Sequence, residues 1–550
     1  EGTGQTTTGA NITIRGSGTV GQATLLSGQH TWVHNGLVSA DVSGQTLNLV
    51  NPGNGSQPVQ NNGTMQAAGG GTLQIGTDVV GGAGSRYDVD AASRILMNGV
   101  TLSGVVNQTG TGAIDTSASF SNLFSATSLS GRVNVSSLRV SNGMAMNGGA
   151  TVNVGPSSVL YFDNRTGVGA AAAQTLSGNG QIMMTGGAMR FEGGTSTTWD
   201  SGITVRGSGQ IGQATQASAN HTLVNNGTLI ADGGALNIIP IANAGRVTGT
   251  GTLRVDGGAL SLGTGQTTNQ GTLDIRGTGT LALGTQNLVL SSDYTNAQAG
   301  SGNAFNRRAG VSGTGQIQAG GDVQQVITGA NVTGGNTANA TLTIGNVRVG
   351  ANNFDYTIGA GGTTGPTLRG AVQTNVNGAN LTDGRLSGSG VTASNYNAGA
   401  PAGSGETRTV TFVASGAGAL APMSGQVLNL RSTYDNIADQ KLNIVMASGA
   451  AAYNAAVGST VSPMQVANQR VNGTSTAVLS ISNTASPGNF SEDLDATIAS
   501  TGGQATASGS VSGRRAGTSN TGTGAITVGV DSTSAGAKTG VVNLNYASTG

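Results

Sequence analysis

Residues 251–283 read GTLRVDGGALSLGTGQTTNQGTLDIRGTGTLAL. Two copies of one unit lie side by side here. Gly251-Thr252-Leu253-Arg254-Val255 leads to Leu260-Ser261-Leu262, and Gly271-Thr272-Leu273-Asp274-Ile275 leads to Leu281-Ala282-Leu283. The unit recurs upstream. Asn62-Gly63-Thr64-Met65 leads to Gly71-Thr72-Leu73-Gln74-Ile75, and Asn226-Gly227-Thr228-Leu229 leads to Leu236-Asn237-Ile238. Leu229 and Leu253 are 24 residues apart, Leu253 and Leu273 20.

Each apolar triplet alternates in and out, the mark of a half-buried strand. Strands of three to five residues are too short to form a hairpin with its own core. Gly and Asn between them supply corners. Short strands, frequent corners and this period predict coils of a parallel β-solenoid, in which stacking builds a continuous Leu/Val/Ile column. Leu229, Leu253 and Leu273 are expected in one such column. Asn at equivalent corners is expected to stack into amide ladders.

A larger duplication overlies the short repeat. Residues 12–41 (ITIRGSGTVGQATLLSGQHTWVHNGLVSAD) match residues 203–232 (ITVRGSGQIGQATQASANHTLVNNGTLIAD) at 18 of 30 ungapped positions, at a constant offset of 191. The solenoid is assigned to residues 1–325, with segment 291–325 and its Arg307-Arg308 pair as the expected end cap.

The pattern then loosens. Ile344-Gly345-Asn346-Val347-Arg348-Val349-Gly350 resembles Val466-Ala467-Asn468-Gln469-Arg470-Val471-Asn472-Gly473, and Val410-Thr411-Phe412-Val413 resembles Leu544-Asn545-Tyr546-Ala547. These spacings predict two immunoglobulin-like β-sandwich modules, 326–455 and 456–550. Matching Tyr546 to Phe412 leaves the second module incomplete. Either the chain continues, or another subunit donates the missing strand, Gly2–Ile14 being the nearest donor.

Composition narrows the function classes. The 550 residues include 96 glycines, no cysteine and only His30, His34 and His221. Disulfides and cysteine zinc sites are excluded. With 23 basic and 23 acidic residues and a pI near 7.1, the chain lacks the basic footprint of a nucleic-acid binder. No apolar stretch of about 20 residues predicts a membrane helix. The opening Glu1-Gly2-Thr3-Gly4-Gln5 is no signal peptide, so a leader has been removed or the chain is a piece of something longer.

Polysaccharide lyases and hydrolases on β-helices need carboxylates or basic groups converging on a groove. The pairs on offer are Asp88/Asp90 and Asp163 with Arg165; at 8 % charged residues, surface charges are the expected reading. His30 and His221 occupy equivalent places in the duplication and read as corner histidines bonded to backbone. His34, four residues after His30, shares no helical face with it in a β context. Ser491-Glu492-Asp493-Leu494-Asp495 and Asp435/Asp439 are the densest acidic spots, without EF-hand or glycine-rich nonapeptide spacing. Arg514-Arg515 reads as a solvated turn. No catalytic residue, cofactor-binding residue or metal ligand is assigned, and no cofactor is expected.

The Gly-Thr-Leu coils resemble the β-helical passengers of bacterial autotransporters and filamentous-haemagglutinin-like exoproteins. Ser291-Ser292-Asp293-Tyr294-Thr295-Asn296, Gly302-Asn303-Ala304-Phe305-Asn306-Arg307-Arg308, the Ile344–Gly350 run and Asn489-Phe490-Ser491-Glu492 resemble choice-of-anchor D type immunoglobulin-like surface modules. The resemblance implies export, a cell-surface or matrix location, and a structural or adhesive role. The expectation is a non-enzymatic extracellular protein that self-associates into a filament, biofilm matrix or surface layer. An adhesin binding glycans or host proteins is the alternative, and a glycan-cleaving β-helix the third reading.

Overall fold

The glycine of the Gly-Thr-Leu unit has a mechanical reason. A Cβ on Gly227 would lie 2.2 Å from the Ile203 carbonyl oxygen, one on Gly251 2.3 Å from that of Gly227, and one on Gly271 2.0 Å from that of Thr250. At this corner each coil rests backbone-on-backbone against the one before, and any side chain would push the coils apart. The threonine that follows is half-buried and the leucine after it turns inward, as in strand Thr252–Asp256.

These features belong to a computed structural model that describes residues 4–21, 29–51, 57–165, 172–212, 221–239, 246–263, 268–519 and 523–550. Residues 22–28 and 213–220 of the duplicated blocks lie outside the described residues. Among the described residues, apart from two single 3-10 turns, Gly302–Ala304 and Ser389–Val391, the regular structure is all β.

A parallel β-solenoid runs from strand Gly4–Thr8 to strand Ile317–Ala319. Its registers align like with like. Val152 pairs with Ile182, then in succession come Val205, Leu229, Leu253, Leu273 and Tyr294. All seven side chains are at most 1 % exposed. The expected column through Leu229, Leu253 and Leu273 is observed, with one coil between successive members. Side-chain amide bonds link adjacent coils, at a corner through Asn62 and Asn35 as expected, and also within strands through Asn153, Asn134 and the Asp115 carboxylate. Asn153 donates to Asn134 Oδ1 at 2.8 Å, Asn134 to Asp115 at 2.9 Å, and Asn62 to Asn35 at 3.1 Å.

The duplication preserves contacts as well as letters. Arg15 pairs with Asp41 and Arg206 with Asp232, each 191 residues on. His30 meets the Thr6 hydroxyl at 2.8 Å, and His221 meets that of Thr197 at 3.1 Å, again 191 on. Strand Gly4–Thr8 pairs with His30–His34, and Thr13–Arg15 with Leu37–Ser39. The described part of Gly2–Ile14 is therefore seated in a coil, hydrogen-bonded along one edge, and is not a free donor arm; Gly2 itself lies outside the described residues.

Beyond Ala319 pairing becomes mainly antiparallel. Gln324–Thr328, Gly350–Gly361, Glu406–Ala414 and Leu386–Ser387 make a four-stranded sheet. A six-stranded sheet faces it, antiparallel except where Asn339–Ile344 runs parallel to Gln440–Met446. Tyr356, Val410 and Phe412 of the first sheet share one core with Leu342, Leu430 and Ile444 of the second, and that core is continuous with the solenoid column.

The solenoid end is capped from farther along the chain than segment 291–325. Asp435 donates its N–H to the Ile317 carbonyl at 2.8 Å and accepts from the Ile317 N–H at 2.9 Å. Asn436 does the same for Ala319 through its amide, at 2.8 and 2.9 Å. The open edge of the last solenoid strand is thus satisfied, as an exposed ladder end requires. Arg307 and Arg308 do belong to the cap, since they pair with Asp439 and Asp435 respectively.

The last hundred residues have a separate core around Ile481, Leu494, Val511 and Ile526. Two three-stranded sheets form it, Thr476–Val478/Ile526–Val530/Ala505–Gly509 and Val511–Arg514/Leu494–Gly503/Gly540–Ser548. Phe412 lies on a strand with neighbours on both sides and is fully buried, whereas Tyr546 lies on an edge strand and is 38 % exposed.

Candidate functional site

Among the described residues, the sequence pairs foreshadow one cluster of charged and aromatic side chains, built around Asp163. It ends the strand run Leu123–Asp163, which bends through successive coils and also carries Arg139 and Tyr161. The Asp163 side chain has no exposed surface. Arg139 Nε donates to its Oδ2 at 2.8 Å; Arg165 donates from its backbone N–H and Nε to Oδ1, at 3.1 and 3.0 Å, and from Nη2 to Oδ2 at 2.7 Å. Burial alone would raise the carboxyl pKa, but the hydrogen bonds from Arg165 and Arg139 outweigh it and hold Asp163 below the ordinary range. Phe120, in the turn before the run, lies 4.9 Å from the Arg139 guanidinium carbon and 5.8 Å from that of Arg165. Tyr161 meets the Phe120 ring edge-on at 5.0 Å between centroids.

Chemically this is a charge-neutralising clamp. Both Asp163 oxygens are occupied by guanidinium donors, leaving little capacity for a substrate proton. Glu192 pairs with Asp163 in register on the next coil and is fully buried. The sequence pointed to Asp163 and Arg165 by proximity. It missed Arg139, 24 residues back, and Phe120, because neither sits in a recognisable spacing.

The other candidates do not converge. Asp88 accepts from Gln66 and Thr109 at 3.0 and 2.9 Å on the solenoid flank, while Asp90 caps Gly69 and Ala92 at a corner. Glu492 pairs with Arg348, tying the last segment to the sheets before it. Asp495 accepts from the Gly513 N–H at 2.8 Å. Asp435 and Asp439 belong to the cap. Arg514 is buried rather than a solvated turn, and Arg515 is exposed. Among the described residues no three His, Asp or Glu side chains are grouped to hold a metal.

His34 and His221 are both buried, and His34 Nε2 donates to the Thr64 carbonyl at 3.2 Å. His221 stacks on Phe191 at 5.0 Å, which stacks on Phe162 at 5.6 Å. Its Nδ1 is 3.1 Å from the Gly193 carbonyl, which only accepts, so Nδ1 carries the proton and Nε2 accepts from the Thr197 hydroxyl. The expected backbone bond is found for His221 but not for His30, which bonds a side chain; His34, on a strand, also bonds a backbone carbonyl.

Burial pushes His221 down from 6.5 to about 4. The unfolded chain therefore takes up a proton between those values that the folded chain refuses, so stability falls as pH drops from 6.5 to 4. The loss from this residue is expected to reach about 3 kcal/mol. Comparing unfolding midpoints of the wild type and His221→Phe from pH 7 to pH 4 isolates it. The variant should lose less over that window, and parallel pH curves would refute the assignment.

No protein-family model, curated protein or solved structure matches the chain.

Proposed function

We propose that this is an extracellular structural protein: a rigid β-solenoid subunit of a surface filament, biofilm matrix or surface layer on a bacterial cell. The carrying observation is the continuous core that joins the solenoid to the sheets at 324–453, with the last solenoid strand capped by Asp435 and Asn436. Such a joint resists bending, which a load-bearing rod requires. Support also comes from a net charge of zero with only 8 % charged residues, so little long-range repulsion opposes close association of copies. The resemblance of the Gly-Thr-Leu coils to exported β-helical passengers points the same way. Sedimentation and electron microscopy over a concentration series test it: rods associating into ordered chains or sheets are expected, and strictly monomeric rods at high concentration would overturn it.

An adhesin is the second reading, favoured by the Phe120–Tyr161 pair on the flank, where an exposed ring lies beside guanidinium groups. A glycan array with wild type and Phe120→Ala separates the two. Binding lost in the variant supports the adhesin, and no binding leaves the structural reading alone. No catalytic activity is proposed, and a polysaccharide-cleavage assay with product formation would contradict that.

A further inference from the structure

Segment 461–471 runs along the last module without helix or strand. It is anchored at one end where Ser459 donates its N–H to the Ser482 carbonyl at 2.9 Å, and at the other where Asn472 donates to Ser532 at 2.9 Å. Between the anchors, residues 460–468 make no hydrogen bond within the described chain. Pro463 lacks an N–H, which works against ladder formation here. Facing this segment is strand Gly540–Ser548, which among the described residues pairs only with Leu494–Gly503. Alternate N–H and C=O groups on its outer side are left unpaired.

A cleft of about 950 Å³ separates the two. Leu479 and Val528 are buried at its floor, and Val542 and Leu544 on the edge strand are only half-buried. Met464 and Val541 on its walls are 40 % and 59 % exposed. The cleft has a charge sign too. Arg470 and Lys538 line it, and among the described residues neither is in an ion pair, although most arginines of this chain are; the Asp531 carboxylate, outside the cleft lining, interacts electrostatically with Lys538.

We propose that this cleft receives an extended strand of another polypeptide, added to the edge of Gly540–Ser548, apolar at alternate positions and carrying a carboxylate. The unpaired edge accepts a backbone of any sequence. The apolar floor selects alternate side chains, and Arg470 and Lys538 select the acid. This goes beyond the rod reading and stands on the cleft alone.

The test is selection of displayed random nonapeptides on the full chain, followed by amide exchange with the best peptide. Enriched peptides should alternate Val, Ile or Leu with polar residues and include Asp or Glu. Binding should slow exchange at alternate amides of 541–547 and weaken about tenfold in the Arg470→Glu/Lys538→Glu variant, which changes one exposed and one half-buried charge, both outside the core. Failure to enrich any such pattern overturns the proposal, as does equal binding by the charge-reversed variant. Protection of those amides in the free chain at low concentration would mean that segment 461–471 closes on the edge itself. Protection that grows with protein concentration would make a second copy the occupant. Either result replaces the proposed partner.

Discussion

Leu253→Asp is expected to open the solenoid at its coil and at the coils on either side. Leu253 is fully buried between Leu229 and Leu273 in the stacked column. Removing a buried leucine costs about 2–5 kcal/mol from lost transfer energy and the cavity left behind. A carboxylate in its place finds no cation in the column, so the total is expected to exceed about 5 kcal/mol. In a solenoid each coil contacts only its neighbours, so the damage stays local at first. Limited proteolysis should therefore cut within strands Thr228–Ile238, Thr252–Asp256 and Thr268–Arg276 in the variant and leave those strands intact in the wild type. Leu253→Met, which conserves volume, should cost less than about 1.5 kcal/mol. Wild-type protease resistance in Leu253→Asp would refute the burial assigned to the column.

The second large effect is expected at Asp163. Its two arginine partners keep only 11 % and 25 % of their side-chain surface exposed. Asp163→Leu leaves both guanidinium groups partly buried without their counter-charge, an error that costs about 3–5 kcal/mol. The triple variant Arg139→Met/Asp163→Leu/Arg165→Met, made in a Glu192→Gln background because buried Glu192 is also an electrostatic partner of Arg165, removes the stranded charges and should regain most of that loss. Denaturant unfolding of the three proteins checks the order, wild type and triple variant close together and Asp163→Leu well below. A triple variant as unstable as the single one would show that packing, and not charge compensation, is what Asp163 supplies. The wild-type clamp should also weaken in acid. Because the folded carboxyl titrates below its unfolded value, its contribution is complete above the ordinary carboxylate range and disappears as pH falls through the folded value.

What the sequence determined by itself is the solenoid. Thr252, Leu253 and Val255 alternate over a single strand, the glycine before them is demanded by the coil beneath, and the next copy follows 20 residues on. Every contact of the column therefore joins equivalent positions of adjacent repeats, and a regular offset in the letters becomes a regular offset in space. The same logic carried the Arg–Asp and Thr–His pairs across 191 residues. Only the tertiary structure decided where repetition stops. Asp435 and Asn436 cap a strand 118 and 117 residues earlier, and Arg348 reaches Glu492 across 144. Arg139 meets Asp163 through the path of the coils, and the cleft of the last module exists because segment 461–471 and strand Gly540–Ser548 face each other without pairing. These are contacts between unlike segments, each made once. No periodicity announces them, since their partners are set by how the chain returns on itself and not by any residue near them in sequence.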